Sequence, residues 1–150
     1  MGKVLFYHLT RSDAGALLPQ LIGKSVAAGW RVELRGPDRA ALEALDAALW
    51  QGDGFLPHGL AGGAHDARQP VLLRQESAPP AANAPDCVIS VGGAGVVADE
   101  ALRLERACIL FDGRNEPALD RARDQWRALT GAGIEAEYWA ESDGRWERRR

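Results

Sequence analysis

The sequence predicts an α/β fold: three layers, α/β/α, around a mostly parallel central sheet. Two observations predict it. Short apolar runs that read as strands alternate with longer segments whose apolar residues recur at three- and four-residue steps. Strands that alternate with helices in this way form a mostly parallel sheet covered by helices on both faces. At 150 residues, the chain has the length of one domain, 1–150, large enough to bury about two-thirds of its unfolded surface.

The first apolar strand covers residues 4–9. A helix follows over 13–29, with Ala16, Leu17, Leu21 and Val26 at helical spacing and Gly29 as the stop. Residues 30–34 alternate as a second strand. Residues 38–50 are a strong helix, capped by Asp38, with Leu42, Leu45 and Leu49 as its inward stripe. A long Gly-rich loop, QGDGFLPHGLAGGAHDARQ, leads to a short strand at 71–73. ESAPPAANAP is a second loop, of a composition compatible with mobility. Strands at 86–91 and 106–111 flank a short helix at 98–104. A helix over 119–132 and a last strand over 134–139 precede a polar, arginine-ended tail from about residue 141.

Composition narrows the function. The chain is 46% hydrophobic and 26% charged, as in a soluble globular protein. It has no membrane-spanning apolar run, and MGK followed at once by VLFYHL lacks the layout of a signal peptide, which places the protein in the cytoplasm. Cys87 and Cys108 lie in or beside apolar runs without metal-type spacing and read as buried, reduced thiols. The net charge of −3 and the lack of a basic stripe with interleaved aromatics argue against strong direct nucleic-acid binding. Lys3 and Lys24 are the only lysines, so the basic side is nearly all arginine. Arginine is the better residue for a forked grip on carboxylates, but a GC-rich genome explains the bias more simply, and composition alone does not decide.

Three places could carry chemistry. Gly93-x-Gly95-x-x-Ala98 follows a strand and matches the dinucleotide fingerprint of Rossmann-like folds, with Asp112 near the ribose-binding position. The helix after it is only about two turns and little sheet remains beyond it, which favours a plain Gly-rich turn. A small nucleotide- or dinucleotide-binding enzyme using this turn is the alternative reading. His58 and His65-Asp66 share a loop but lack a third metal ligand, and polar loop histidines are the better reading. No catalytic constellation and no cofactor are expected.

The third place is the helix LDRARDQWRALTGAG. Leu119, Ala122, Trp126 and Leu129 form one apolar stripe, so Trp126 is partly core. Arg123 stands at the stripe's edge one turn before Trp126, and Arg127 continues that edge. An aromatic wall rimmed by guanidiniums suits a ligand with an apolar group and a carboxylate, such as a peptide C-terminus. Asp120 and Asp124, three residues from the arginines, offer the competing explanation of simple pairing on the helix surface.

Taken in order, FYHL, RVELR, LDAALW, FLPHGLAG (residues 55–62), the R-x-x-W helix, AG and a late YW resemble the chi subunit of bacterial DNA polymerase III, essentially end to end. The resemblance implies a non-catalytic accessory subunit of a DNA-directed DNA polymerase. It would join the clamp-loader complex, in many bacteria through a psi subunit, and bind the acidic C-terminal tail of single-stranded DNA-binding protein. The tail-binding arginine and aromatic of the family fall on Arg123 and Trp126. A lysine that some members carry one turn earlier falls on Leu119, and Arg127 or Arg121 is left to supply its charge, although Arg121 points to another side. The psi contact falls on Phe55, Leu56, Pro57 and His58.

Overall fold

The computed structural model describes residues 2–51 and 57–150. It contains one eight-stranded sheet: β1 (Lys3–Leu9), β2 (Val32–Gly36), β3 (Gly59–Leu60), β4 (Val71–Gln75), β5 (Cys87–Ser90), β6 (Arg106–Asp112), β7 (Glu135–Ser142) and β8 (Arg145–Arg148). The order across the sheet is β3-β4-β2-β5-β6-β1-β7-β8. All neighbours are parallel except β7 and β8, which form an antiparallel hairpin.

Helices α1 (Ala14–Ala27) and α2 (Arg39–Gln51) cover one face. Leu17, Leu18, Leu21 and Ile22 of α1 and Leu42 and Leu49 of α2 join Val32, Leu34, Val71, Leu73 and Ile89 in one apolar cluster. Helices α3 (Ala98–Arg103) and α4 (Glu116–Gly131) cover the other face. There Val4, Phe6, Val88, Ile109 and Phe111 meet Ala101, Ala122 and Leu129. Period-two alternation divides each strand between these cores: in β1, Val4 and Phe6 face α4 while Leu9 faces α1. The three-layer architecture is the expected one.

Capping explains where the helices begin. The Asp13 carboxylate accepts the Ala16 N–H at 3.0 Å and that of Asp38 accepts the Ala41 N–H at 2.8 Å. Gly29, at φ +85°, ends α1 as expected. Cys87 and Cys108 are buried and free.

Three expectations need correction. The second strand begins at Val32 rather than at residue 30, and all five of its residues are buried. Its alternation of Glu33 and Arg35 with Val32 and Leu34 therefore marks a second buried face, made of charged groups. The long Gly-rich loop contributes β3, which pairs with β4, and a 3-10 turn at Asp66–Arg68. The segment after residue 141 is not a free tail: β7 runs to Ser142, and Asp143 and Gly144, both at positive φ, turn the chain into β8. That dihedral pair is the twist-matched two-residue hairpin turn.

Candidate functional site

Helix α4 is built to present its outer edge. The Asn115 side chain caps it by accepting the Ala118 N–H at 3.0 Å, Pro117 lies in its first turn, and Gly133 at φ +83° follows its end. Ala122 and Leu129 are buried, with Leu119 and Trp126 partly buried beside them. The Trp126 ring meets Phe6 edge-on at 5.3 Å and Tyr138 of β7 at 5.9 Å, and Tyr138 stacks on Phe6 at 6.4 Å. These contacts fix an aromatic floor whose outer side is open.

Above this floor lies a groove of about 600 Å3 lined by Arg123, Trp126, Arg127 and Thr130 of α4, Tyr138, and Arg149 and Arg150 beyond β8. The side chain of Arg123 is 59% exposed and lies 3.6 Å from Asp120; that of Arg127 is 74% exposed and lies 3.2 Å from Asp124. Such exposed pairs one helical turn apart are worth a fraction of a kcal/mol, roughly 0.2–1. They leave both guanidiniums available to another carboxylate. The surface-pairing explanation and the binding explanation thus describe the same arginines without excluding one another.

Beneath the floor, Tyr138 Oη and His8 Nδ1 are 2.8 Å apart. Burial lowers the proton affinity of His8, and the positive charges of Arg123 and Arg149 lower it further. Burial raises the Tyr138 phenol, against the pull of Arg123 and Arg150. Both rings are therefore neutral at pH 7, and the positive charge sits at the rim of the groove.

The structure brings Arg123, Trp126 and Arg127 together, as the helical wheel does. Arg121 lies elsewhere, packed against Gly93, where an added Cβ would come within 2.8 Å of its Nε. Leu119 is packed against the core and carries no charge to the groove. Thr130, Tyr138, Arg149 and Arg150 were not read from the sequence. Tyr138 sits on the predicted last strand, and Asp143-Gly144 between two strand-like runs is the signal that would have brought the arginines back to it.

The Gly93 to Ala98 turn borders a crevice of about 290 Å3 at the carboxyl ends of β1 and β6, where an open α/β sheet commonly holds its ligand. Three of its amides, however, are occupied within the chain, that of Ala94 by the Val91 carbonyl. Gly95 N–H donates to Glu76 at 2.8 Å and Val97 N–H to Glu100 at 3.1 Å. Arg121 fills the approach at Gly93, and Asp112 is held by Arg114 at 2.9 Å, which keeps its carboxyl below the usual range.

Next to this turn, a charged cluster fills the face of β2 and β4. Glu33 accepts from Arg35 at 2.7 Å and from Arg74 at 2.8 Å, and Arg35 also reaches Glu100 at 2.6 Å. Arg74 donates further to the carbonyls of Pro79 and Ala78, both at 2.7 Å. The side chains of Glu33, Arg35 and Arg74 are at most one-tenth exposed.

Phe55 and Leu56 lie outside the described residues. Pro57 is exposed. His58, read from the sequence as a polar loop histidine, is instead buried: its Nε2 lies 3.0 Å from Asp46 of α2 and its ring rests on Trp50 at 4.3 Å. Its neighbour Leu60 pairs in β3, which draws the loop against the sheet. His65 is exposed, and Asp66 is used by its own turn, accepting the Gly62 and Gly63 N–H groups at 2.8 and 3.0 Å.

Among the described residues, no group of three or more His, Cys, Asp or Glu side chains could hold a metal ion, and no helix is long and apolar enough to cross a membrane. A comparison with curated proteins gave no match. The family model for the DNA polymerase III chi subunit, HolC, matches residues 1–137, most of this 150-residue chain, and ends within β7. The chain therefore belongs to the DNA polymerase III chi subunit family.

Proposed function

We propose that this chain is a non-catalytic adaptor of the replicative polymerase. It links the clamp-loader complex to single-stranded DNA-binding protein by holding that protein's acidic C-terminal tail. The observation that carries this reading is the groove beside α4, where an aromatic floor of Trp126 and Tyr138 is rimmed by exposed arginines in a chain of net charge −3. A tail that ends in acidic residues, an apolar pair and phenylalanine offers complementary parts. The phenylalanine ring lies on Trp126, its carboxylate is gripped by Arg123, and Arg127 meets acid further along the helix edge.

The clamp-loader contact, direct or through a psi subunit, is assigned to Phe55, Leu56, Pro57 and His58. Trp50 supports this: it is 55% exposed, and its ring rests on the buried His58. A large exposed aromatic braced from behind suits a protein interface. The internal bonds of the Ala94, Gly95 and Val97 amides, with Arg121 packed at Gly93, give the cofactor-binding enzyme no support.

Titration with an acidic peptide ending in phenylalanine tests the adaptor reading, with NADH titrated separately. Saturable peptide binding is expected, and removal of the last phenylalanine should weaken it far more than a rise in salt does. Burial of the ring contributes roughly 1.5–3 kcal/mol and is not screened, whereas exposed charge contacts are screened within about 8 Å at physiological ionic strength. Equal affinity for the shortened peptide would reduce α4 to a charged surface. Saturable NADH binding without peptide binding would restore the enzyme reading.

A further inference from the structure

The groove has a second wall that the matched family region does not include. Beyond β8 the chain stays paired to β7: Arg149 N–H donates to the Tyr138 carbonyl at 2.6 Å, and Tyr138 N–H donates to the Arg150 carbonyl at 3.1 Å. These bonds hold both arginines against the residue that forms the aromatic floor, and both line the same groove as Arg123 and Trp126. Their backbone is fixed before any ligand arrives, which lowers the ordering cost of binding.

The helix wall alone is close to electroneutral, because Arg123 and Arg127 each stand beside an aspartate. Arg149 lies 3.3 Å from Glu147, and among the described residues no ion pair involves Arg150. The field of this second wall reaches the floor: Arg149 acts on His8 and Arg150 on Tyr138, each alongside Arg123.

We propose that Arg149 and Arg150 read the acidic residues preceding the apolar end of the bound peptide, leaving Arg123 and Trp126 to read the end itself. This rests on the adaptor reading and adds a division of labour to it. Two contiguous arginines on a fixed strand face an extended ligand, so they measure the charge of the stem rather than its shape.

The test uses the full chain, its R149Q/R150Q and R149K/R150K variants, and two peptides. One peptide has an acidic stem. The other has every stem acid replaced by its amide and keeps the terminal phenylalanine. At low salt, R149Q/R150Q should bind the acidic peptide about five- to tenfold more weakly than the unchanged chain, the size expected of two exposed charge contacts. It should bind the amide peptide equally well. R149K/R150K should recover most of the loss, since point charges suffice. The ladder bonds are made by backbone atoms, so melting temperatures should stay together.

Unchanged affinity for the acidic peptide, or an equal loss for both peptides, overturns the proposal while leaving the adaptor reading intact. Failure of the unchanged chain to bind either peptide overturns the adaptor reading and this one with it. Binding of an oligothymidylate that is lost in R149Q/R150Q, with peptide binding kept, assigns the two arginines to nucleic acid instead.

Discussion

On the face of the sheet that α3 and α4 cover, arginine occurs in two settings. Arg35 and Arg74 lie over β2 and β4 with Glu33 between them, nearly withdrawn from water and bonded to carboxylates and carbonyls on several sides. Arg123 and Arg127 lie at the edge of α4, more than half exposed, each with one aspartate three residues away. The first setting uses the guanidiniums in place of an apolar core beneath α3, whose Glu100 pairs with Arg35. The second leaves them to exchange one carboxylate for another. Residue type does not separate these roles; the number of partners and the access of water do. A buried charge is tolerated only while its full set of partners is present, whereas an exposed pair is worth so little that a ligand can replace it.

The contrast breaks most visibly at Glu33. Glu33→Ala removes the carboxylate shared by Arg35 and Arg74 and should lower unfolding stability by about 3–5 kcal/mol in denaturant titration. The protein that stays folded should bind the acidic peptide as before. A loss below about 1 kcal/mol would mean that water replaces the acid and that the cluster is wetter than its geometry implies.

Arg123→Ala should do the reverse. Peptide binding should weaken by about 1.5–3 kcal/mol, the range for a hydrogen bond to a charged group, while stability moves by no more than about 0.5 kcal/mol. Calorimetric titration and thermal melting read the two effects separately. An unchanged dissociation constant removes Arg123 from the groove's function.

Glu141 asks the same question of an acid. It stands on β7 and accepts from the Ser12 hydroxyl at 2.6 Å and from the N–H groups of Thr10, Arg11 and Ser12 at 2.9–3.0 Å. Burial raises its carboxyl, but these donors outweigh burial and hold it at about 2. The folded value lies below the unfolded one, so this stabilisation is complete above about pH 4.5 and is lost as pH falls toward 2. Glu141→Gln should lower stability at neutral pH by about 1–2 kcal/mol after solvent screening and should flatten this limb of the acid unfolding curve. An acid limb identical in slope would show that the loop donors are satisfied by water.

The smallest effect is expected at His8. Its folded proton affinity is depressed, first by burial and then by Arg123 and Arg149. The protein should therefore lose stability as pH falls through the ordinary histidine value near 6.5. Arg149→Gln should raise the His8 midpoint in an NMR titration, because it removes one of the positive charges that depress it. A midpoint that does not move would place Arg149 away from the floor of the groove.

Much of this was legible in the sequence because periodicity reports burial. The stripe of α4 placed Leu119, Ala122, Trp126 and Leu129 inward and Arg123 at the edge, and the structure agrees. Periodicity failed where burial was achieved by charge: Glu33 and Arg35 look solvated to any pattern rule but satisfy one another beneath α3. It failed again after residue 141, where RWER reads as a polar end. Trp146 anchors that strand edge-on against Tyr7 at 5.4 Å, and a two-residue turn, not apolar alternation, sets its register. Half of the groove was invisible for this reason, since its second wall depends on a pairing partner and not on its own composition.

The position of β1 has a consequence for how the molecule is made. The first strand of the chain lies between the sixth and the seventh: Leu5 pairs with Cys108 on one side and with Glu137 on the other. Closing contacts about 100 residues apart is entropically slow, and sheets with such pairings fold in roughly milliseconds to seconds rather than microseconds. During synthesis at about 5–20 residues per second, β1 leaves the ribosome and waits roughly 5–20 s before β6 exists to receive it. Val4, Leu5 and Phe6 therefore spend that interval without their native neighbours. The nascent chain must be shielded there, by early packing of α1 or by a chaperone, before a groove at the far end of the sequence can form at all.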